Sequence, residues 1–334
     1  MHKELLKEMM IELIEENPGL LQKTHINKEL NKVLDFYWEK YMEHSLLNKE
    51  ITTCENDDSI YRLHIKPFFG TWRLYDIKPD HIIQWQLEMK NNCFYTTLVN
   101  RYKVFNKFFN WINKIYDTKW NPVSRVGMPR RTTKKEEMKI WSEVEFYKFF
   151  SQITDLEHKA IFMLFYFAGL RRGELLALKW NDFRDNYIEI DESVANVHGK
   201  QKVKGPKNLN SYRLIEIDDS TKKILTALHT IAIQSDKYRK DNFIFGRQTR
   251  PMAFETLRKA KIRYEESAGL SHIRLHDLRH SHVSLLINNK IPVIAIAMRI
   301  GDSIDEVMKT YAHLLPESSL EVSNLLNSLT KRYF

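Results

Sequence analysis

Cysteine, glycine and proline are all scarce in this chain, at 2, 10 and 9 of 334 residues. Two cysteines, Cys54 and Cys93, form neither a disulfide framework nor a thiolate metal cluster. So little glycine and proline argues against a turn-rich barrel. Long apolar runs are missing as well. The longest, Ala160 to Leu170, has the length of a core helix and falls short of the roughly twenty residues of a membrane span. The opening residues, MHKELLKEMMIELIEE, are too charged for a secretory segment, so the chain reads as cytoplasmic and without a membrane partner.

Aromatic residues are plentiful instead, with 7 Trp, 15 Tyr and 18 Phe, and apolar residues make up 43% of the chain. That composition suits helical domains with aromatic cores, and the length suits two of them plus a tail. Lysine and arginine outnumber the acids by 52 to 43. The excess is concentrated. Lys200, Lys202, Lys204, Lys207 and Arg213 share one stretch without an acid, and Arg125, Arg130, Arg131, Lys134, Lys135 and Lys139 crowd another. Both suit a phosphate backbone.

Helical spacing of Leu5, Leu6, Met9, Met10, Leu13 and Ile14 predicts a short amphipathic helix within residues 1–26. Residues 27–122 read as a bundle of four or five helices. In it Leu34, Tyr37, Trp38 and Tyr41 share one face, and Arg101, Lys103 and Lys107 punctuate the last long helix, as a DNA-facing or merely solvated surface. Residues 123–140 lack periodicity and read as a basic connector. Ser142 with Glu145 is a capping box that restarts helix, opening a second domain over 141–316. There Tyr187–Ile190 and Tyr212–Ile217 alternate as strands. The fold class is mainly α, with a small β-sheet in the second domain. Residues 317–334 form an amphipathic tail through Leu320, Val322, Leu325, Leu326 and Leu329, fit to dock on a neighbouring subunit or on its own domain.

Three clusters carry chemistry. In Gly169-Leu170-Arg171-Arg172-Gly173-Glu174 an apolar helix ends, two arginines follow, and a second helix opens with a carboxylate where its dipole favours one. Alone, the pair suits a structural salt bridge as well as a site. In His276-Asp277-Leu278-Arg279-His280-Ser281-His282, helical spacing stacks His276 and Arg279 toward one ligand. His276 and His280 also bracket a segment like the zinc-protease helix, but Asp277 replaces the glutamate base and Arg279 would set a fixed cation beside a metal, so no metal site is assigned. His280 and His282 read as packing residues. The third cluster is Thr310-Tyr311-Ala312-His313-Leu314, shortly after Gly301-Asp302-Ser303.

In combination these clusters resemble the tyrosine recombinase family, especially integrases of prophages and integrative mobile elements of Gram-positive bacteria, over about residues 27–320. The family's Gly-x-Arg-x-x-Glu motif stands at Gly169 to Glu174, its His-x-Leu-Arg-His-Ser motif at His276 to Ser281 and its Tyr-x-His-Leu motif at Tyr311 to Leu314. Its β-hairpin lysine matches Lys207, with Lys202 and Lys204 as neighbouring choices. The resemblance implies a core-DNA-binding bundle and a catalytic domain forming a C-shaped clamp, with Tyr311 as nucleophile. It further implies Arg171, Lys207, His276 and Arg279 as catalytic partners and Glu174 as a supporting carboxylate. Where the family more often has histidine, this chain has Asp302, which cannot donate to phosphate while ionised and is expected to orient a neighbour. About 26 residues precede the bundle, too few for the family's arm-binding domain, which implies a short member or a truncation.

Two guanidiniums can clamp a phosphate through directed hydrogen bonds at every relevant pH. A histidine can donate to phosphate or assist proton transfer, and a lysine can protonate the departing oxygen. The resemblance therefore implies cleavage through a 3′-phosphotyrosine without metal, ATP or cofactor, to integrate or excise an element. Partners would be double-stranded DNA attachment sites, a tetramer of the chain on DNA, and accessory excision or DNA-bending proteins, in the cytoplasm on the nucleoid. DNA contacts would come from Arg101, Lys103, Lys107, Arg130, Arg131, Lys134, Lys135, Lys202, Lys204 and Arg213. A topoisomerase-like strand transferase and a catalytically weakened DNA-binding regulator are the alternatives.

Overall fold

The structure is a computed structural model and describes residues 32–131, 138–197, 199–205, 212–315 and 319–330. The expected helix within residues 1–26, Lys134, Lys135 and Lys207 lie outside the described residues. The chain divides into two units, Met1–Lys135 and Glu136–Phe334.

The first unit is helical. Helix α1 (Leu34–Asn48) buries Leu34, Tyr37, Trp38 and Tyr41 on one face, the stripe that its sequence spacing predicts. Helix α2 starts as Ile51–Ile60 and runs through a π-helical turn, Tyr61–Ile65, into Lys66–Phe69. Helix α3 (Pro79–Asn92) opens with proline, whose missing N–H has no partner in a first turn anyway. Helix α4 (Tyr95–Tyr116) is the longest and buries Tyr102, Phe105, Phe108, Phe109 and Ile112. The rings lock together. Trp38 stacks on Tyr61 with centroids 4.0 Å apart and meets Phe108 edge-on at 4.9 Å.

The stretch read as connector begins with structure of its own. Helix α5 (Pro122–Val126) is capped by Asn121, whose side-chain oxygen accepts from the Ser124 N–H at 2.9 Å, and Val123 is fully buried in the first core. Five residues are too few to show periodicity, which is why the sequence conceals this helix.

The second unit opens at α6 (Glu143–Phe150), with the predicted capping box: the Glu145 N–H donates to Ser142 Oγ, and the Ser142 N–H donates to Glu145 Oε2 at 2.8 Å. Helix α7 (Leu156–Met163) continues as a π-helical turn, Leu164–Ala168, and helix α8 (Arg172–Ala177) follows. An antiparallel sheet pairs β1 (Phe183–Arg184) with β2 (Tyr187–Ile190) and β2 with β5 (Arg213–Glu216), setting Ile188 opposite Ile215. A separate hairpin joins β3 (Ser193–Val197) to β4 (Lys200–Lys204). Helix α9 (Asp219–Ala232) is capped by Asp218.

Helices α10 (Phe254–Ser267), α11 (Leu275–Asn288), α12 (Val293–Ile300) and α13 (Ile304–Tyr311) complete the site's frame, and α14 (Ser319–Thr330) carries the tail. On α14, Leu326 and Leu329 are exposed. A small apolar cluster of Val283, Ile287, Ile296, Ala297, Ile300, Val307 and Tyr311 ties α11, α12 and α13 together. No helix among the described residues is long and apolar enough to cross a membrane.

Candidate active site

Two chain reversals build the site. Helix α7 and its π turn end at Gly169 with φ +66°, and α12 ends at Gly301 with the same φ, a left-handed conformation that glycine adopts without strain. At Gly169 an added Cβ would also lie 2.4 Å from the His282 ring. These reversals leave carbonyls facing inward. The Gly169 oxygen accepts from Arg279 Nη1 at 2.8 Å, the Ile300 oxygen from Arg279 Nη2 at 2.7 Å, and the Gly301 oxygen from Arg171 Nη2 at 2.9 Å.

Arg171 occupies the N-cap of α8 in extended conformation. Its backbone N–H donates to Glu174 Oε2 at 3.0 Å and its Nη1 to Glu174 Oε1 at 2.7 Å. Glu174 is itself buried and receives Arg213 Nη2 at 2.9 Å, while Arg213 Nε donates to the Arg299 carbonyl at 2.8 Å. Arg213 was expected on DNA. The structure buries it instead, under the site, where a charge needs a partner and finds Glu174.

Asp302 joins the two arginines. One carboxylate oxygen accepts from Arg171 Nη2 and the other from Arg279 Nη2, the latter at 2.6 Å. The aspartate thus orients not one neighbour but two, and its charge offsets their mutual repulsion. Burial would lower the Arg171 pKa, but Glu174 and Asp302 outweigh it and leave it above its ordinary value. Arg279 is held below its ordinary value by burial and by the Arg171 charge beside it. Each guanidinium has five N–H donors, so two on each remain without a partner among the described residues.

Helix α11 presents His276, Arg279 and His280 on one face. The Tyr311 ring, 5% exposed, is set in the small apolar cluster, and its hydroxyl lies 2.5 Å from His280 Nδ1. Burial pushes the Tyr311 phenol up to about 12, against the pull of Arg279. Burial, then His276, hold the His280 imidazole down to about 4. The His276 ring is exposed, 4.8 Å from that of His280, and its pKa is lowered by lost hydration and by Arg279. Arg171, His276, Arg279, His280, Asp302 and Tyr311 line one pocket of about 290 Å³. The sequence reading assigned His280 to packing. Its i, i+4 spacing from His276 was the available signal for a place in the site. His282 does pack, with Nδ1 2.8 Å from the Tyr166 carbonyl. No group of three or more His, Cys, Asp or Glu side chains fit to hold a metal ion occurs among the described residues.

A model of the "Phage integrase family" matches residues 130–318, and one of the "Phage integrase, N-terminal SAM-like domain" matches residues 33–90. The ICEBs1 integrase of Bacillus subtilis (strain 168) is 31% identical over 293 residues, covering 82% of this chain and 77% of that protein. The chain belongs to the phage integrase family. In fold it is similar to a Tn1549 transposon integrase solved with transposon right-end DNA, with TM-score 0.72, 19% identity and coverage of 87% of this chain and 98% of that one. It is also similar to a lambda integrase tetramer bound to a Holliday junction, with TM-score 0.62, 17% identity and coverage of 88% and 86%. As a tyrosine recombinase of mobile elements, this integrase cuts and rejoins DNA site-specifically, to integrate or excise an element.

The integrase's other basic candidates divide by environment. Lys103, Arg130, Arg131 and Lys202 are exposed, and Arg131 lies over the Tyr95 ring at 5.2 Å. Lys204 is half-buried. Two residues of α4 are engaged within their own unit: Arg101 Nη1 lies 3.2 Å from Met89 Sδ, and Lys107 pairs with buried Asp57 at 2.5 Å.

Proposed function

We propose that the integrase cleaves each strand by attack of Tyr311 on the scissile phosphate, leaving a 3′-phosphotyrosine and a free 5′-hydroxyl. The observation that carries this reading is the convergence of Arg171, His276, Arg279 and Tyr311, from three separate stretches of sequence, on one pocket. The unpartnered N–H groups of Arg171 and Arg279 bind the phosphate oxygens as charge grows on them. Glu174 and Asp302 hold the two guanidiniums in place, and His276 donates to a phosphate oxygen. Lys207 protonates the departing 5′-oxygen. The bond energy retained in the phosphotyrosine drives rejoining, so no ATP is consumed.

The further parts of this reading are that the integrase works on DNA attachment sites as a tetramer, in the cytoplasm on the nucleoid, with tail exchange through α14 and with accessory excision or bending proteins. The multimer is supported by the fold likeness to a lambda integrase that forms a tetramer on a Holliday junction. DNA contacts come from Lys103, Arg130, Arg131, Lys134, Lys135, Lys202 and Lys204.

A nicked duplex spanning the joined ends of the encoding element tests the reading, because the departing strand diffuses away and traps the intermediate. The parent protein should form a covalent adduct that maps to Tyr311. Tyr311→Phe should bind the same duplex nearly normally and form none. An adduct at another tyrosine, or one that persists in Tyr311→Phe, would overturn the assignment. Rapid relaxation of a plasmid lacking any attachment site would favour the topoisomerase-like alternative.

A further inference from the structure

The nucleophile assigned above has an activation problem. Burial pushes its phenol up to about 12, so the hydroxyl is un-ionised at physiological pH and needs a group to take its proton during attack. The neighbour at hydrogen-bond distance is not His276. It is His280, whose Nδ1 stands 2.5 Å from Tyr311 Oη, with the ring centroids 5.5 Å apart. One turn of α11 separates the two histidines, so their rings, 4.8 Å apart and nearly perpendicular, serve different places in the pocket. His276 is exposed, and the proposed reading leaves it to serve the phosphate with Arg279, while the half-buried His280 lies against the nucleophile.

We infer that His280 is a further catalytic residue of this integrase, the general base that receives the Tyr311 proton through Nδ1 during cleavage and returns it during rejoining. This rests on the reading of Tyr311 as nucleophile. An acceptor at Nδ1 requires a neutral ring with its proton on Nε2, and burial together with the cationic surroundings keeps the imidazole neutral in the free protein. Transfer from so weak an acid to so weak a base is uphill at rest. It becomes favourable as the bond to phosphorus forms, because the attacking oxygen then becomes strongly acidic.

In the cleavage step the O–H bond of Tyr311 breaks. One lone pair on Oη forms the bond to phosphorus, and the proton passes to His280 Nδ1, giving imidazolium. The bond from phosphorus to the 5′-oxygen breaks with its electron pair on that oxygen, which takes a proton from a separate donor, Lys207 in the proposed reading. In rejoining, a 5′-hydroxyl attacks phosphorus, its O–H bond breaks, and its proton returns to the group that protonated the 5′-oxygen, Lys207 in the proposed reading. Tyr311 Oη departs with its electron pair and recovers the proton from His280.

The decisive experiment compares two reactions in the same pocket, of which only the first needs a base at Tyr311. His280→Ala and His280→Gln should both bind the nicked duplex like the parent and lose cleavage by on the order of 10²–10⁴-fold. The second reaction joins a 5′-hydroxyl strand to a strand ending in a 3′-p-nitrophenyl phosphate, whose leaving group departs as an anion. In a Tyr311→Phe background, adding His280→Ala should leave that ligation rate unchanged. Equal loss in both reactions would mean that His280 only supports the pocket, and normal cleavage by His280→Gln would mean that a hydrogen bond without basicity is enough. Either result overturns the inference. Mapping the parent adduct away from Tyr311 would instead remove the reading beneath it, whatever the His280 variants do.

Discussion

The two units of this integrase bury different things. Among the described residues of the first unit, the core is rings and aliphatic chains, and the buried polar side chains are Ser45 and Asp57. The second unit buries Glu174, Asp182, Arg213, Lys261, Glu265, Asp277, Arg279 and His282 alongside its apolar core. Burying charge is unfavourable unless each group is paired and hydrogen-bonded. The second unit meets that requirement with linked pairs: Arg213 to Glu174, Lys261 to Glu265 at 2.8 Å, and Arg279 to Asp302. A scaffold that presents a binding surface needs only the first kind of core. A site that must stabilise new negative charge needs oriented cations in low dielectric, and that is the second kind.

The largest effect should separate stability from chemistry. Trp38→Ala deletes a fully packed ring and should destabilise the first unit by about 3–5 kcal/mol. Arg279→Lys keeps a cation beside Asp302 and the two inward carbonyls but removes the planar guanidinium fork, so the loss of stability should be smaller. Its cleavage rate should still fall by at least about 10²–10³-fold, as for loss of a transition-state donor. Hydrogen exchange across both units of the full chain, with the nicked-duplex assay, reads both outcomes. If Arg279→Lys unfolds the second unit as thoroughly as Trp38→Ala unfolds the first, the buried guanidinium is there for stability.

A smaller effect follows from titration. Burial, then the nearby Arg299 charge, holds His282 down to about 3, and His280 is held down to about 4. A histidine with a lowered folded pKa stabilises the fold fully above its unfolded pKa, and that contribution is lost as pH falls toward the folded value. Each should remove on the order of 1.4 kcal/mol per pH unit below about pH 6.5. Asp182, raised by burial to about 6, has the opposite sign and offsets about one histidine over part of that window. In the first unit His64 is lowered too, by burial and then Arg101, but it is half-exposed. Acidification from pH 6.5 to 4.5 should therefore weaken the second unit more than the first, and His282→Asn should flatten its slope. Equal slopes for both units in pH-dependent hydrogen exchange would count against this account.

Much of this division was legible in the sequence, because some signals are local. The aromatic stripe from Leu34 to Tyr41, the box of Ser142 and Glu145, and the alternation of Tyr187–Ile190 each depend on residues a few positions apart. So did the motifs around Arg171, Arg279 and Tyr311, whose convergence the structure then supplies. What stayed hidden depends on distant partners. Nothing near Arg213 reveals that Glu174 is its partner, and nothing near Asp302 reveals that it spans two guanidiniums. The hydrogen bond between His280 and Tyr311 crosses 31 positions, so the sequence alone reads the histidine as packing and only the placement of α11 beside α13 brings it to the site.

The smallest effect tests the surface of the first unit. Lys103 and Lys107 sit one turn apart on α4, and sequence alone assigns both to DNA. Lys103 is exposed, whereas Lys107 Nζ is drawn to Asp57, a nearly buried carboxylate that also accepts from the Tyr41 hydroxyl at 3.4 Å. A cation already neutralised by a carboxylate releases few counterions when a phosphate approaches. Lys103→Ala should therefore reduce the slope of log affinity against log salt by about 0.9, the value of one phosphate contact, with cognate and random duplexes affected alike. Lys107→Ala should leave that slope nearly unchanged. It should instead destabilise the first unit by about 1 kcal/mol, because Asp57 loses a partner that is itself partly screened by solvent. Salt titrations of the two variants, beside a melt of each, decide the matter. If Lys107→Ala lowers the salt slope as much as Lys103→Ala does, the Asp57 pair opens on DNA and the first unit is less rigid than its aromatic core implies.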